Sequence, residues 1–258
     1  MKGGIVGMYV HQHWPYHHPY AARTWSLEDW RGYASGLREL GFNTLLIWPV
    51  IETMPVPLLP SDRENLEKLG QVIDLLHEQL DMRVYLALCP NVVAHDEVAS
   101  RASFAQRRFF YCDRRVDPAV RQAVEEMLRR REEILRLLCK ADGITLIDSD
   151  PGGYPGSTSE EFVELLVAHR ALFDRLRPGI ELIYWIHAGW EAYCRFYQTG
   201  QFAMGTDAEF SEVLSILKAR NPEPWGLANG LHCAQDLGLD QRVILFSYGA
   251  IEGEPSFP

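Results

Sequence analysis

The chain has 258 residues, 47% of them hydrophobic and 23% charged, with a formal net charge of −10. That length and balance allow a sizeable core and fit one α/β barrel of about 250 residues. The acidic balance speaks against nucleic acid as the main partner, since phosphate binding needs basic patches, and no run approaches the roughly 18 apolar residues of a membrane helix.

The five cysteines, Cys89, Cys112, Cys139, Cys194 and Cys233, are dispersed without a CxxC spacing. Such a set reads as reduced and structural. Together with a first strand that begins almost at once, it predicts a cytoplasmic protein.

The elements alternate between strand and amphipathic helix. Gly4 to Val10 reads as the first strand, followed by a long loop rich in aromatic residues and histidine. Ser26-Leu-Glu-Asp29 has capping-box spacing and opens a helix with Trp30, Leu37 and Leu40 on one face and Gly41 as its stop. Asn43 to Trp48 is the second strand. A helix from Asp62 to Leu80 carries Leu66, Leu69, Ile73, Leu76 and Leu80 at helical spacing, and Arg83 to Leu88 is the third strand.

The segment from Pro90 to Val116 is too long for a simple connection and predicts a functional loop. Its Arg107-Arg108-Phe-Phe-Tyr111 stretch reads either as a substrate cover or as a packed insertion. Asp117-Pro118 has the form of an N-cap followed by proline at the first helical position, and that helix runs towards Cys139. Within it, Arg129-Arg-Arg131-Glu-Glu reads as a solvated face of ion pairs.

Gly143-Ile-Thr-Leu-Ile is the fourth strand, and Ser157-Thr-Ser-Glu160 caps the next helix. Glu181 to Ile186, Pro224 to Ala228 and Val243 to Tyr248 are the fifth, sixth and seventh strands, with a helix over Asp207 to Ala219. This alternation predicts an α/β fold with a parallel sheet. Seven such units, with no Gly-x-Gly-x-x-Gly after the first strand, favour a (β/α)8 TIM barrel over an open doubly wound sheet. The sequence stops at Pro258, ten residues past the seventh strand. The expectation is one catalytic domain over 1–258 that is either cut from a longer protein or an incomplete barrel.

The fourth strand runs into Asp148-Ser-Asp150-Pro-Gly-Gly153. Carboxylates at the rim of a core point to binding or chemistry, although one of the two is also a candidate turn former. Barrel active sites gather at the carboxyl ends of the strands. Strand one leads to His11, His13 and Trp14, then Tyr16, His17 and His18; strand two leads to Trp48 and Glu52. Strand three leads to Cys89 and Asn91, strand five to Trp185, His187 and Trp190, and strand six to Asn229 and His232. Strand seven leads to Tyr248, Glu252 and Glu254.

Aromatic faces stack on sugar rings, polar groups bond hydroxyls, and two opposed carboxylates can cleave a glycosidic bond. The predicted catalytic residues are Asp148, Asp150 and Glu252. His11, His13, Trp14, Trp48, Trp185, His187, Asn229 and Tyr248 are the predicted carbohydrate contacts, and no cofactor or metal is required.

Trp25-Ser-Leu-Glu-Asp-Trp30, Leu40-Gly-Phe-Asn43, Trp48-Pro49, Asp142-Gly143 and the Asp148/Asp150 pair resemble the catalytic barrel of a glycoside hydrolase. Gly-Phe-Asn followed by an apolar strand ending in Trp is similar to the second unit of β-hexosaminidase-like and related barrels. The resemblance implies hydrolysis of an oligosaccharide or polysaccharide.

The departures are specific. Ser149 separates two acids that hexosaminidase-like families place side by side, and Thr145, Ile147 and Ser149 occupy the phase of the acids in chitinase-like barrels. Of the Asn-Glu and Glu pattern of the large retaining clan, only the seventh-strand acid, Glu252, is kept. Two alternatives stand beside this reading. His11, His13, His187 and His232 could hold zinc as in amidohydrolase barrels, although that family's strand-four lysine is missing. A sugar-binding barrel without catalysis is the other.

Overall fold

The computed structural model describes residues 5–12, 22–107, 111–147, 158–186, 207–220, 225–227, 235–238 and 243–245. The strands in chain order are β1 Gly7–His11, β2 Thr44–Trp48, β3 Arg83–Leu88, β4 Val92–Ala94, β5 Asp113–Arg115, β6 Gly143–Ile147, β7 Glu181–Ile186, β8 Trp225–Leu227 and β9 Val243–Leu245. The longer helices are α1 Leu27–Glu39, α2 Pro60–Leu80, α3 Asp96–Ala99, α4 Arg121–Leu135, α5 Ser159–Leu176 and α6 Asp207–Arg220.

Seven strands make one sheet in the order β1-β2-β3-β6-β7-β8-β9, and every pairing in it is parallel. β4 and β5 form a separate antiparallel pair inside the long connection between β3 and α4. Among the described residues β1 pairs with β2 and β9 with β8, so the sheet is followed as a series of seven.

Both faces of the sheet are covered, which is why β2 and β6 are buried at every position and read as continuous apolar runs. Alternation assigns the faces. Val10, Leu45, Ile47, Val84, Leu86, Leu88, Ile144, Leu146, Leu182 and Tyr184 pack with the helices in the main core. Tyr9, Leu46, Trp48, Tyr85, Ala87, Ile147 and Ile183 form a second cluster on the opposite face, turned away from the helices and called the inner face below, together with Val50, Cys89 and Val92.

The helices obey their capping chemistry in two places. Ser26 caps α1 through a box with Asp29, as the sequence predicts. Thr158, one residue beyond the predicted Ser157, caps α5 through a box with Glu161. Other boundaries differ for identifiable reasons. β1 pairs from Gly7, because Val6 instead exchanges hydrogen bonds with Asn43 through its backbone and side chain. Leu40 is the C-cap of α1 and is exposed, since the helix ends before the apolar stripe comes round again. α2 begins at Pro60, a residue suited to the first turn because it needs no donor there.

Asp117 closes a turn through the Ala119 and Val120 amides, so α4 starts at Arg121 and not at Pro118. The solvated-face reading of 129–133 holds for Arg130, which pairs with Asp96, and for Glu132, which pairs with Arg136 and Arg175, but it is overturned at Arg131. Arg131 is buried, because it lies on the stripe of Val124, Met127, Ile134 and Leu135 that faces the sheet. Of the cysteines, Cys89, Cys112 and Cys139 are free thiols. No helix among the described residues is long and apolar enough to cross a membrane.

Candidate active site at the carboxyl ends of the strands

Parallel strands deliver their carboxyl ends to one side of the sheet. There His11 pairs with Trp48 in register, and Ile147 pairs with Trp185. The His11 and Trp48 rings lie 4.8 Å apart between centroids, and Tyr9 packs 6.4 Å from each. His11 is 7% exposed and Trp48 1%, so this aromatic group is buried.

Directly after β2, a left-handed Val50 starts a single 3-10 turn over Ile51–Thr53, and that turn brings the Glu52 carboxylate to the indole N–H of Trp48. Glu52 is 1% exposed. Trp48 donates its indole N–H to Oε2 of Glu52 at 3.1 Å, and Cys89 donates its backbone N–H to Oε1 at 2.7 Å. Burial pushes the carboxyl pKa up, while the Arg131 charge and the N–H donors pull against it.

Arg131 approaches from α4. Its guanidinium donates to the Cys89 carbonyl, to the Val92 carbonyl at 2.9 Å and to Nε2 of His169 at 2.7 Å. Because a guanidinium only donates, Nε2 of His169 accepts, and the ring proton sits on Nδ1, which donates to the Leu165 carbonyl at 2.8 Å. Burial, reinforced by the adjacent guanidinium, lowers the His169 pKa to about 3. The imidazole is therefore neutral. Asn91, after β3, ties the same region to the end of β5: its side-chain amide donates to the Val116 carbonyl at 2.9 Å, and its backbone carbonyl accepts from Val116 at 2.7 Å.

A second buried network anchors the rim beside β1. Asp62 of α2 accepts from Arg23 at 2.6 Å and from both terminal nitrogens of Arg107 at 2.6 and 2.9 Å. Arg107 also reaches the Thr53 carbonyl at 2.9 Å, next to Glu52. Gln12 follows β1, donates its backbone N–H to Trp48 at 3.0 Å and accepts from Asn65 of α2 at 3.1 Å. Buried Arg107 settles its part of the long connection as packed structure, while Tyr111 is exposed.

Of the predicted site residues, the structure brings His11 and Trp48 together and adds Glu52. Trp185 is placed by its backbone register alone. Asp148, Asp150, Glu252, His13, Trp14, His187, Asn229 and Tyr248 lie outside the described residues. So do His232, Trp190, Glu254, Tyr16, His17 and His18. Among the described residues no group of three His, Cys, Asp or Glu side chains is arranged to hold a metal ion.

Neither a protein-family signature nor a curated protein sequence matches the chain. Solved structures do. A cycloisomaltooligosaccharide glucanotransferase from Paenibacillus sp., complexed with cycloisomaltoheptaose, is 13% identical with a TM-score of 0.52, over 87% of this chain and 38% of that one. A β-galactosidase from the psychrophilic Marinomonas ef1 is 12% identical with a TM-score of 0.52, over 88% of this chain and 40% of that one. A GH5_18 protein from Streptomyces cattleya, in complex with Manb1-4GlcNAc, is 15% identical with a TM-score of 0.48, over 94% and 70%.

The chain shares the parallel α/β fold of the Paenibacillus and Marinomonas structures. At these identities the likeness is one of fold, and the chain spans about two fifths of the length of the first two proteins.

Arg131, His169 and Asp62 carry no motif. Helical phase is the signal that finds them, since each falls on the buried stripe of its helix. A charged or imidazole side chain on such a stripe needs a buried partner.

Proposed function

We propose that this chain is a glycoside hydrolase that cleaves an oligosaccharide or polysaccharide with carboxylate acid–base chemistry, on a (β/α)8 barrel whose strand ends form the site. One observation carries the reading. The parallel strands gather an imidazole, an indole and a carboxylate, His11, Trp48 and Glu52, at the end of the sheet where barrel enzymes place their chemistry. The fold likeness supports it, because the Paenibacillus and Marinomonas proteins are a glucanotransferase and a β-galactosidase.

In this reading Asp148 or Asp150, directly after β6, is the general acid, and Glu252 is the nucleophile or base or orients the sugar. A carboxyl separation of about 5 Å would go with retention and one of roughly 6.5–9.5 Å with inversion. His11, His13, His187, Asn229 and Tyr248 bond hydroxyls, Trp14 and Trp185 supply aromatic surface, and Trp48, expected from the sequence as a sugar contact, is buried and supports the His11 ring.

The test is release of aryl alcohol from a panel of aryl glycosides, with and without a chelator, in the wild type and in Asp148→Asn and Asp150→Asn. Chelator-resistant release that falls at least about a hundredfold in one of the two variants is the expected result, since general acid catalysis contributes about that much or more. Release that disappears with the chelator would move the assignment to a metal-dependent hydrolase. Oligosaccharide binding without release would mark a binding barrel, and unchanged turnover in both variants removes the acid assignment.

A further inference from the structure

Glu52 poses a physical question. A carboxylate that is 1% exposed has lost its water, and such burial is tolerated when charge and hydrogen bonds replace it. Here both oxygens are engaged by N–H donors from different strand ends, Trp48 of β2 and Cys89 just after β3. The countercharge comes from behind the sheet, where Arg131 holds the carbonyl of the same Cys89 whose amide Glu52 holds. Cys89 is thus clamped on its N–H by an acid and on its C=O by a guanidinium.

Arg131 is itself fixed by the Val92 carbonyl and by His169. A continuous polar path therefore leads from α5 through α4 and the end of β3 to the indole that contacts His11 on the inner face.

We infer that Glu52 is a positioning residue of the candidate sugar site: it fixes the indole plane of Trp48, and through it the His11 ring, while locking the ends of β2 and β3 together. This rests on reading the strand ends as a carbohydrate site. Glu52 does not touch substrate, because its oxygens face Trp48 and Cys89; it acts through the Trp48–His11 pair. An indole without this acceptor can turn about its side-chain torsions, and His11, whose ring stands 4.8 Å away, loses its support. Glutamine has the same size but offers an NH2 group to one of two N–H donors, so one of the two bonds is lost.

The experiment compares wild type, Glu52→Gln, Glu52→Ala, Trp48→Phe and the double variant of Glu52→Gln with Trp48→Phe. The readouts are hydrogen exchange of the Trp48 indole N–H by NMR, assigned through its absence in Trp48→Phe, and kcat and KM for the aryl glycoside that the wild type cleaves. The expected result in folded Glu52→Gln is at least tenfold faster indole exchange, a kcat/KM at least tenfold lower, and a double variant no worse than the poorer single one.

Unchanged indole exchange in Glu52→Gln and also in Glu52→Ala, which leaves the indole no side-chain acceptor at this position, overturns the inference. So does faster exchange with wild-type kcat and KM, since that is what a purely structural role gives. If Glu52→Gln does not fold, Trp48→Phe alone decides, and wild-type kinetics in it overturn the inference. If the wild type cleaves no glycoside, the hydrolase reading fails separately, and the indole exchange still decides whether Glu52 holds Trp48.

Discussion

His169 illustrates how a single buried side chain couples to solution conditions. Its Nε2 accepts from Arg131 and its Nδ1–H donates to Leu165, so a second ring proton would set two donors against each other beside a positive charge. The folded pKa of about 3 lies below the ordinary histidine value of about 6.5. The unfolded chain therefore binds more protons, and the stability tied to the neutral ring is present above pH ~6.5 and is lost as pH falls towards 3.

Linkage sets the slope at up to about 1.4 kcal/mol per pH unit for one proton. Glu52 acts in the opposite sense, because its pKa is raised: its contribution is present below the ordinary glutamate value and is lost as pH rises through the folded one. Denaturant unfolding of wild type and His169→Gln at pH 7, 6 and 5 separates the two. The wild type should lose about 1 kcal/mol more per pH unit than the variant, whereas equal slopes would show that His169 is not held neutral.

At the scale of elements, several helices carry one kind of exception. On the buried stripes of α2, α4 and α5 sit Asp62 with Asn65, Arg131 and His169, and these side chains fasten loops and strand ends to the helices. Asp62 is the sharpest case. It has no exposed surface and carries two guanidiniums, from a turn before α1 and from the long connection after β3. Removing it leaves Arg23 and Arg107 buried without their carboxylate, and breaking a buried pair in this way costs about 3–5 kcal/mol. Asp62→Ala should lose that much in equilibrium denaturation, and a loss below about 1 kcal/mol would mean that the cluster relaxes into water.

These elements also show what was legible in the sequence. The bounds of β3, β6 and β7 follow from short runs of apolar and β-branched residues, and the Ser26 capping box is a local signal that packing does not override. Arg131 was misread because a run of three arginines and two glutamates looks solvated by composition, while helical phase decides which of them faces the sheet. Arg107 had no readable partner, because Asp62 is 45 residues away and their pairing exists only in the folded sheet.

Across the whole molecule the inner face divides into layers along the strands. At the amino end Tyr85 donates its hydroxyl to Glu181, and burial together with that carboxylate raises the phenol pKa. The Tyr85 ring lies over the backbone of Gly143, where a Cβ would meet ring carbons at 2.3 and 2.4 Å and the Glu181 carbonyl oxygen at 3.1 Å. Glycine at the start of β6 is therefore required by the close approach of an aromatic ring. His11, Trp48 and Glu52 occupy the other end of the same face.

Barrels commonly keep stability at the amino end of the strands and chemistry at the carboxyl end, and Gly143→Ala tests whether this sheet does so. Overpacking of this kind costs about 1–3 kcal/mol. Part of it should return when Tyr85→Leu makes room, giving a coupling of at least about 0.5 kcal/mol in a double-mutant cycle. Below its melting temperature the glycine variant should keep the wild-type kcat/KM on any cleaved glycoside, because the altered layer lies at the opposite end of β6 from Asp148. A tenfold fall in kcat/KM with the variant fully folded would instead show that the inner face moves as one unit, and that the layers cannot be altered independently.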